Sequence, residues 1–367
     1  MAHAHDRSNL GIPLAACWLV ICCVVPAGAG VQQWTTGGPP GAHVYELAVD
    51  PVSPSTVYMA GFGVWKTTDG GGQWTRLRNG LDSNNIRDVA INPDEPSIVL
   101  AGSYDAGVFR STDGGTSWNA SSEGLTDVRT LSLAIDPSNP SIVYAGMRYV
   151  GAFKSNDGGL TWTAINSGLE DDASITALAI DPADPETVFA GTYDGVYMTT
   201  DGGENWSIVD DIPTRSVASL AIDPTNSAVV YVGMEGYGVY KSTDGGATFS
   251  ESSDGLEHTV VEDMAIDPVT PSTIHLASDG GGIYRSLDAG ASWARSENAP
   301  RTPGTNAVAV DPASPDVVYA GCSGAGVHKS TDGGETWQAV NTDLDAGQAR
   351  ALTVDPAFAG RVWAATG

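Results

Sequence analysis

A chain of 367 residues with 45 glycines, 44 acidic residues and only 17 basic ones carries a formal charge of −27. Such a surface repels nucleic acid and anionic membrane, so neither is expected as a partner, and its self-repulsion favours a soluble protein. The length fits two ordinary domains or one large all-β domain.

Residues 12–25, IPLAACWLVICCVV, are an apolar run too short to span a bilayer comfortably but suited to the core of a secretory signal. Ala27, Gly28 and Ala29 supply small residues for cleavage, while Arg7 is offset by Asp6 in a weakly basic leader. The stretch from Leu14 to Cys17 resembles a lipoprotein box, but the apolar run continues past Cys17, which argues against lipidation. Residues 1–29 are therefore expected to be a signal peptide. Residues 30–367 are expected to be a secreted or periplasmic monomer without an integral membrane segment. Cys17, Cys22 and Cys23 leave with the signal, so Cys322 alone remains, with no internal disulfide and no Cys-based metal site.

The mature chain is a repeat. Asp69, Asp113, Asp157, Asp201, Asp244, Asp288 and Asp332 recur at steps of 44 residues, once 43. An aromatic follows each five residues later: Trp74, Trp118, Trp162, Trp206, Phe249, Trp293 and Trp337. A second marker, Asp-Pro after an alternating apolar run, falls at Asp50, Asp136, Asp181, Asp223, Asp267, Asp311 and Asp355, with Asn92-Pro93 as a variant. Each unit reads as four short strands of the types LAIDP, VYAG, GVYKS and TW, rich in β-branched and aromatic residues and punctuated by Pro and Gly. No segment has helical periodicity over three turns. Four short strands per repeat of this length predict an all-β propeller whose blades stack around an axis. Complete blades are expected to start near Tyr45, Arg87, Thr130, Ile175, Val217, Val261 and Thr305. Residues 349–367 add two strands, and Trp34 reads as a fourth strand without a blade. Joining them closes an incomplete eighth blade; the alternative is seven blades with a remnant.

The turn KSTDGGETW, residues 329–337, has a physical account. An Asp carboxylate accepts from backbone N–H groups just ahead of it, the glycines permit positive φ, and the Trp ring packs across the hairpin. Seven copies of one turn point to architecture rather than seven active sites. The stretch Ser330-Thr331-Asp332-Gly333-Gly334 with Trp337 resembles the Asp-box, or bacterial neuraminidase repeat, in which the box is a structural hairpin between the third and fourth strands of a blade.

With the boxes and Asp-Pro turns on one face, the other face carries the loops between second and third strands and those joining blades, where binding and catalysis concentrate. The second-to-third loops vary: Phe62, Asp105, Arg148 with Tyr149, Asp194, Glu235 with Tyr237, Asp279 and Ser323. Near the inner-strand starts lie Arg87, Arg129, Arg215, Glu262 and Arg350. Asp105, Asp194, Glu235 and Asp279 are candidates for an acid and base pair at a separation of roughly 5–10 Å. Tyr149, Tyr193 and Tyr237 are suited to stacking on sugar rings, with Arg148 and Glu235 as polar neighbours. There is no phosphate loop, His-Glu-x-x-His motif or Gly-x-Ser-x-Gly elbow, and the acidic Glu170, Asp171, Asp172 and the group of Glu257, His258 and Glu262 read as solvated loops. No metal and no cofactor are expected.

The repeats are similar in style to those of xyloglucanases, whose catalytic Asp pair is divided between two facing propellers; that resemblance singles out Asp105, Asp194 and Asp279, each after a VYAG-type strand. They also resemble the non-catalytic propellers of sortilin and of photosystem II assembly factors. A sialidase arginine triad has no matching Arg-Ile-Pro segment here. The expectation is a non-catalytic binding propeller for a glycan or an extracellular protein, with a single-propeller glycoside hydrolase as the alternative.

Overall fold

The computed structural model describes residues 44–366, apart from 51, 54–55, 62, 69–74, 300–303, 312–313, 323–325, 340–348 and 355–361. The signal segment, Trp34, Phe62, Asp69, Trp74, Ser323 and Asp355 lie outside the described residues.

Seven four-stranded antiparallel sheets follow one another, each with its strands in chain order from the axis outward. Blades 1 to 7 occupy residues 44–77, 86–120, 130–164, 175–208, 217–251, 261–295 and 305–339. Two further strands, Ala349–Val354 and Val362–Thr366, pair as an eighth sheet. Its inner strand packs on the inner strands of both blade 7 and blade 1, so the ring closes with eight positions. The described residues contain no helix. The period-2 pattern becomes near-continuous burial in the second strands, as in Val143–Met147 and Val188–Thr192, because blades cover both faces of those strands.

Every inner strand carries a register shift one residue after its start. The bulged residues, among them Arg87, Thr176 and Glu262, therefore stand in one ring at the loop end of the inner strands. One position further on, Asp88 accepts from Leu133 N at 2.7 Å and Asp263 from Val308 N at 3.0 Å, tying neighbouring inner strands together. Burial pushes Asp88 up to about 7 against the backbone bonds it accepts from Leu133 and Val89.

The box turns follow the expected scheme and add to it. Asp157 accepts from Thr161 N (2.9 Å), Thr161 Oγ1 (2.7 Å) and Ser155 Oγ (2.7 Å), while Ser155 Oγ accepts from Gly159 N (2.8 Å). Gly158 and Gly159 take φ of 70° and 83°, and Ala289 replaces the first glycine of blade 6 at φ 57°. The Trp does not simply cover its own hairpin. Trp162 Nε1 donates to Ser121 O and Trp293 Nε1 to Ser252 O, both in the fourth-strand region of the preceding blade. The ring is thus an inter-blade wedge, packed in one cluster with Leu100 in the case of Trp162 and with Tyr231 in the case of Trp293.

Candidate functional site

On the face opposite the boxes, the second-to-third loops of blades 2, 3 and 5 are each held between two blade-joining loops. Tyr104 N donates to Asn85 O and Gly107 N to Val128 O; Arg148 N donates to Arg129 O and Gly151 N to Ala173 O. Glu235 N donates to Ser216 O and Gly238 N to Thr259 O in the same manner. Side chains that project from these loops stand on a rigid platform.

Blades 2 and 3 build an alternating stack on it. The Arg87 guanidinium lies 4.7 Å from the Tyr104 ring centre, and Arg148 lies 5.4 Å from the same ring and 4.7 Å from that of Tyr149. Arg129 completes the row at 5.3 Å from Tyr149. Each such contact contributes about 0.5–2 kcal/mol, more as water is excluded. Arg129 is also held bidentately by Asp127, at 2.8 Å and 2.5 Å, and this holds the Asp127 carboxyl down at about 2. Arg148 forms no ion pair among the described residues, and its Nε is buried without an acceptor. Tyr149, 43% exposed, holds a left-handed φ of 67° with its N–H on Ser174 Oγ at 2.9 Å.

Tyr193 of blade 4 joins the two ends of this face. Burial raises its hydroxyl, the charges of Arg148 and Arg87 pull the other way, and Tyr149 and Glu235 add to the rise. Beyond it the sign reverses. Glu262, the bulged residue of blade 6, is 7% exposed and pushed up to about 8 by burial, then by the charges of Asp279 and Glu235. Tyr237 stands apart from the row and accepts from Arg215 Nε at 3.0 Å. The expected binding residues Arg148, Tyr149, Tyr193 and Glu235 therefore share one electrostatic neighbourhood, while Tyr237 belongs to a second Arg-Tyr pair in blade 5.

The three candidate catalytic aspartates have different surroundings. Asp105 Oδ1 accepts from Ser83 Oγ at 2.5 Å and Ser103 Oγ at 2.7 Å, which makes it a loop clamp. Asp279 Oδ1 accepts from Gly304 N at 2.5 Å, across to the loop entering blade 7. Asp194 is exposed beside Tyr193, and its N–H donates to Thr192 Oγ1. Sequence reasoning passed over Tyr104. Its signal was the presence of a Tyr in the corresponding loops of four successive blades, Tyr104, Tyr149, Tyr193 and Tyr237.

The Asp, Ser or Thr, double-glycine turn and Trp wedge repeat from blade to blade in this ring. The fold is that of an Asp-box β-propeller. A family model described as sortilin, neurotensin receptor 3, matches residues 237–351. No curated protein matches the chain. Solved structures share the architecture. The GH74 xyloglucanase from Xanthomonas campestris superposes with a TM-score of 0.57 at 16% identity over 84% of this chain and 62% of its own. YCF48 from Cyanidioschyzon merolae gives a TM-score of 0.60 at 16% identity, covering 82% of this chain and 96% of its own. The computationally designed Ika8 protein gives 0.66 at 16% identity, covering 88% and 93%. Against GH74 enzymes the chain spans only about three fifths of their length, 60% and 62% in two cases. At these identities the likeness is one of fold.

Proposed function

We propose that this protein is a secreted, non-catalytic propeller that holds a glycan or protein ligand on the variable loop face. The observation that carries the reading is the row Arg87, Tyr104, Arg148, Tyr149 and Arg129, in which Arg148 presents a positive charge with no carboxylate partner among the described residues of a markedly acidic protein. Stacked arginines and tyrosines offer flat, partly desolvated surface with directed N–H donors, which suits a ligand with a planar or ring face and a negative group. Glu235 and Asp279 give the platform an opposite pole that orients such a ligand. YCF48, whose fold is shared, has been solved bound to a D1 peptide, which supports binding as one use of such a ring.

The test is retention of purified residues 30–367 on immobilised neutral β-glucan, xyloglucan, uronate-containing and sialylated glycans and on extracellular protein extracts, with product analysis by mass spectrometry. Retention without cleavage, weakened about tenfold or more by Arg148→Gln and not rescued by Arg148→Lys, is the expected outcome. Retention indifferent to Arg148 refutes the reading.

One observation favours the hydrolase alternative. Burial, then the charges of Asp279 and Glu235, push the Glu262 carboxyl up to about 8, into the range a general acid needs. Product release that disappears in Glu262→Gln would establish it, in keeping with the fold shared with GH74 enzymes.

A further inference from the structure

Blade 1 departs from its neighbours where its outermost strand, Thr75–Leu77, runs into the loop that joins it to blade 2. In blades 2, 3 and 5 the residue in that place closes the start of the third strand with an acceptor. Ser122 Oγ accepts from Val108 N at 2.9 Å, Asn166 Oδ1 from Ala152 N at 2.8 Å and Ser253 Oγ from Val239 N at 3.0 Å. Strand register puts Arg78 in the equivalent place of blade 1, and a guanidinium has no acceptor with which to make that bond. Arg78 is exposed instead, and Arg76 takes the space over the loop glycine. A Cβ on Gly63 would stand 3.0 Å from Arg76 Nε, where one on Gly107 or Gly238 would run into a serine hydroxyl.

A cavity of about 310 Å³ opens at this end of blade 1, and its walls include Arg76, Arg78, Asp82, Ser83 and Asn84. Its size is at the lower end for small-molecule sites. Arg76 is fixed in place: its guanidinium lies 5.6 Å from the Trp65 ring centre and Nη2 donates to Asn84 Oδ1 at 2.6 Å, while Nε is buried without an acceptor. Burial first, then the charge of Arg78, holds its pKa below the usual arginine value. Neither arginine forms an ion pair among the described residues, so the exposed Asp82 in the same wall neutralises neither by contact. The wall is anchored on both sides, with Gly63 N donating to Asn84 O at 3.1 Å and Ser83 Oγ to Asp105 Oδ1 at 2.5 Å.

We propose that this cavity binds one sugar-acid residue, a pyranose with a single carboxylate, the carboxylate lying between Arg76 and Arg78 and the ring hydroxyls donating to Asp82. Two guanidinium groups that share a wall without a carboxylate repel each other, and a ligand carboxylate relieves this through charge-assisted hydrogen bonds. The formal charge of −27 opposes a polyanion or a dianionic phosphate, so a single negative charge fits best. An acceptor beside the two cations asks for donors next to the ligand's carboxylate. The hydroxyls of a uronate supply them, whereas the Asp or Glu side chain of a peptide has only methylenes there. The site shares no residue with the row Arg87, Tyr104, Arg148, Tyr149 and Arg129, so either can fail alone.

The experiment titrates methyl glucuronide into the purified protein by ligand-observed NMR, with methyl glucoside, acetate and a capped Gly-Glu-Gly peptide as comparators. Saturable binding of the glucuronide is expected, at least about fivefold tighter than that of any comparator and weakened at least about fivefold by Arg78→Gln and by Arg76→Gln. Arg76→Lys should not restore it, since an ammonium lacks the planar fork. Arg78 is exposed, so Arg78→Gln is expected to melt with the parent and decides the matter if Arg76→Gln proves unstable in thermal unfolding. No saturable binding up to roughly 10 mM, or binding indifferent to Arg78, overturns the proposal. Acetate bound as tightly as the glucuronide would mean an adventitious ion only and overturn it too, and tighter binding of the peptide would overturn it in favour of a protein partner.

Discussion

Tyr149 stands where Gly236 stands two blades later, and both hold left-handed backbone, with φ of 67° and 79°. Such a conformation costs a bulky residue about 1–2 kcal/mol, which Gly does not incur. The strained Tyr is the exposed aromatic of the Arg-Tyr row, so the cost falls where the face is open to a ligand.

Replacing Tyr149 with Gly therefore separates fold from binding. Thermal unfolding of Tyr149→Gly is expected to stay within about 1 kcal/mol of the parent, since relief of strain offsets lost stacking. Retention of the ligand identified on the loop face should fall by about tenfold or more. A variant that melts well below the parent would show that Tyr149 serves packing.

His275 should make the protein acid-labile. Its ring is wholly buried in the place blades 1, 3, 5 and 7 give to Tyr, neither ring nitrogen has a partner among the described residues, and it lies against the box of blade 7 at Gly334. Burial, with the charge of Arg285 adding, depresses it to about 3 from 6.5. The unfolded chain then takes a proton that the native state refuses, so the contribution is complete above about pH 6.5 and is lost as pH falls toward 3. Denaturant midpoints at pH 7.5 and 5 should diverge, by on the order of 2 kcal/mol from this group. His275→Leu should shrink the gap; Leu100 already occupies this position beside Arg110 in blade 2.

Glu262 has the opposite sign. An unfolded Glu ionises near 4.5, whereas the native one holds its proton up to about 8, because of burial first and then Asp279 and Glu235. Stability from this group declines as pH rises through that window. Glu262→Gln should match the parent near pH 4.5 and exceed it at pH 8 in urea unfolding. An advantage that grows toward low pH would contradict the assignment.

Some of the site was legible and some was not. The loops were identifiable as the variable part of a constant repeat, which picked out Arg148, Tyr149, Tyr193 and Glu235 together. Tyr104 and the proton-retaining Glu262 were not recognised in those roles, because both depend on which loops lie side by side around the ring. Asp105 looked like a free carboxylate until Ser83 and Ser103 were found on it, one of them from the preceding joining loop.

By itself the sequence determined the blade: its period, its strands, the box turns and the starts of the inner strands, all of which rest on local backbone preference and period-2 burial that neighbouring residues encode. Only the tertiary structure decided what the blades do to one another. Trp162 wedges against Ser121 of the blade before it, Lys66 reaches Gly114 of the blade after it, and the strand Ala349–Val354 closes the ring between its first and seventh members. These contacts join residues 41, 48 or more positions apart, so their geometry follows from how rigid sheets stack about an axis and leaves no pattern within any one repeat.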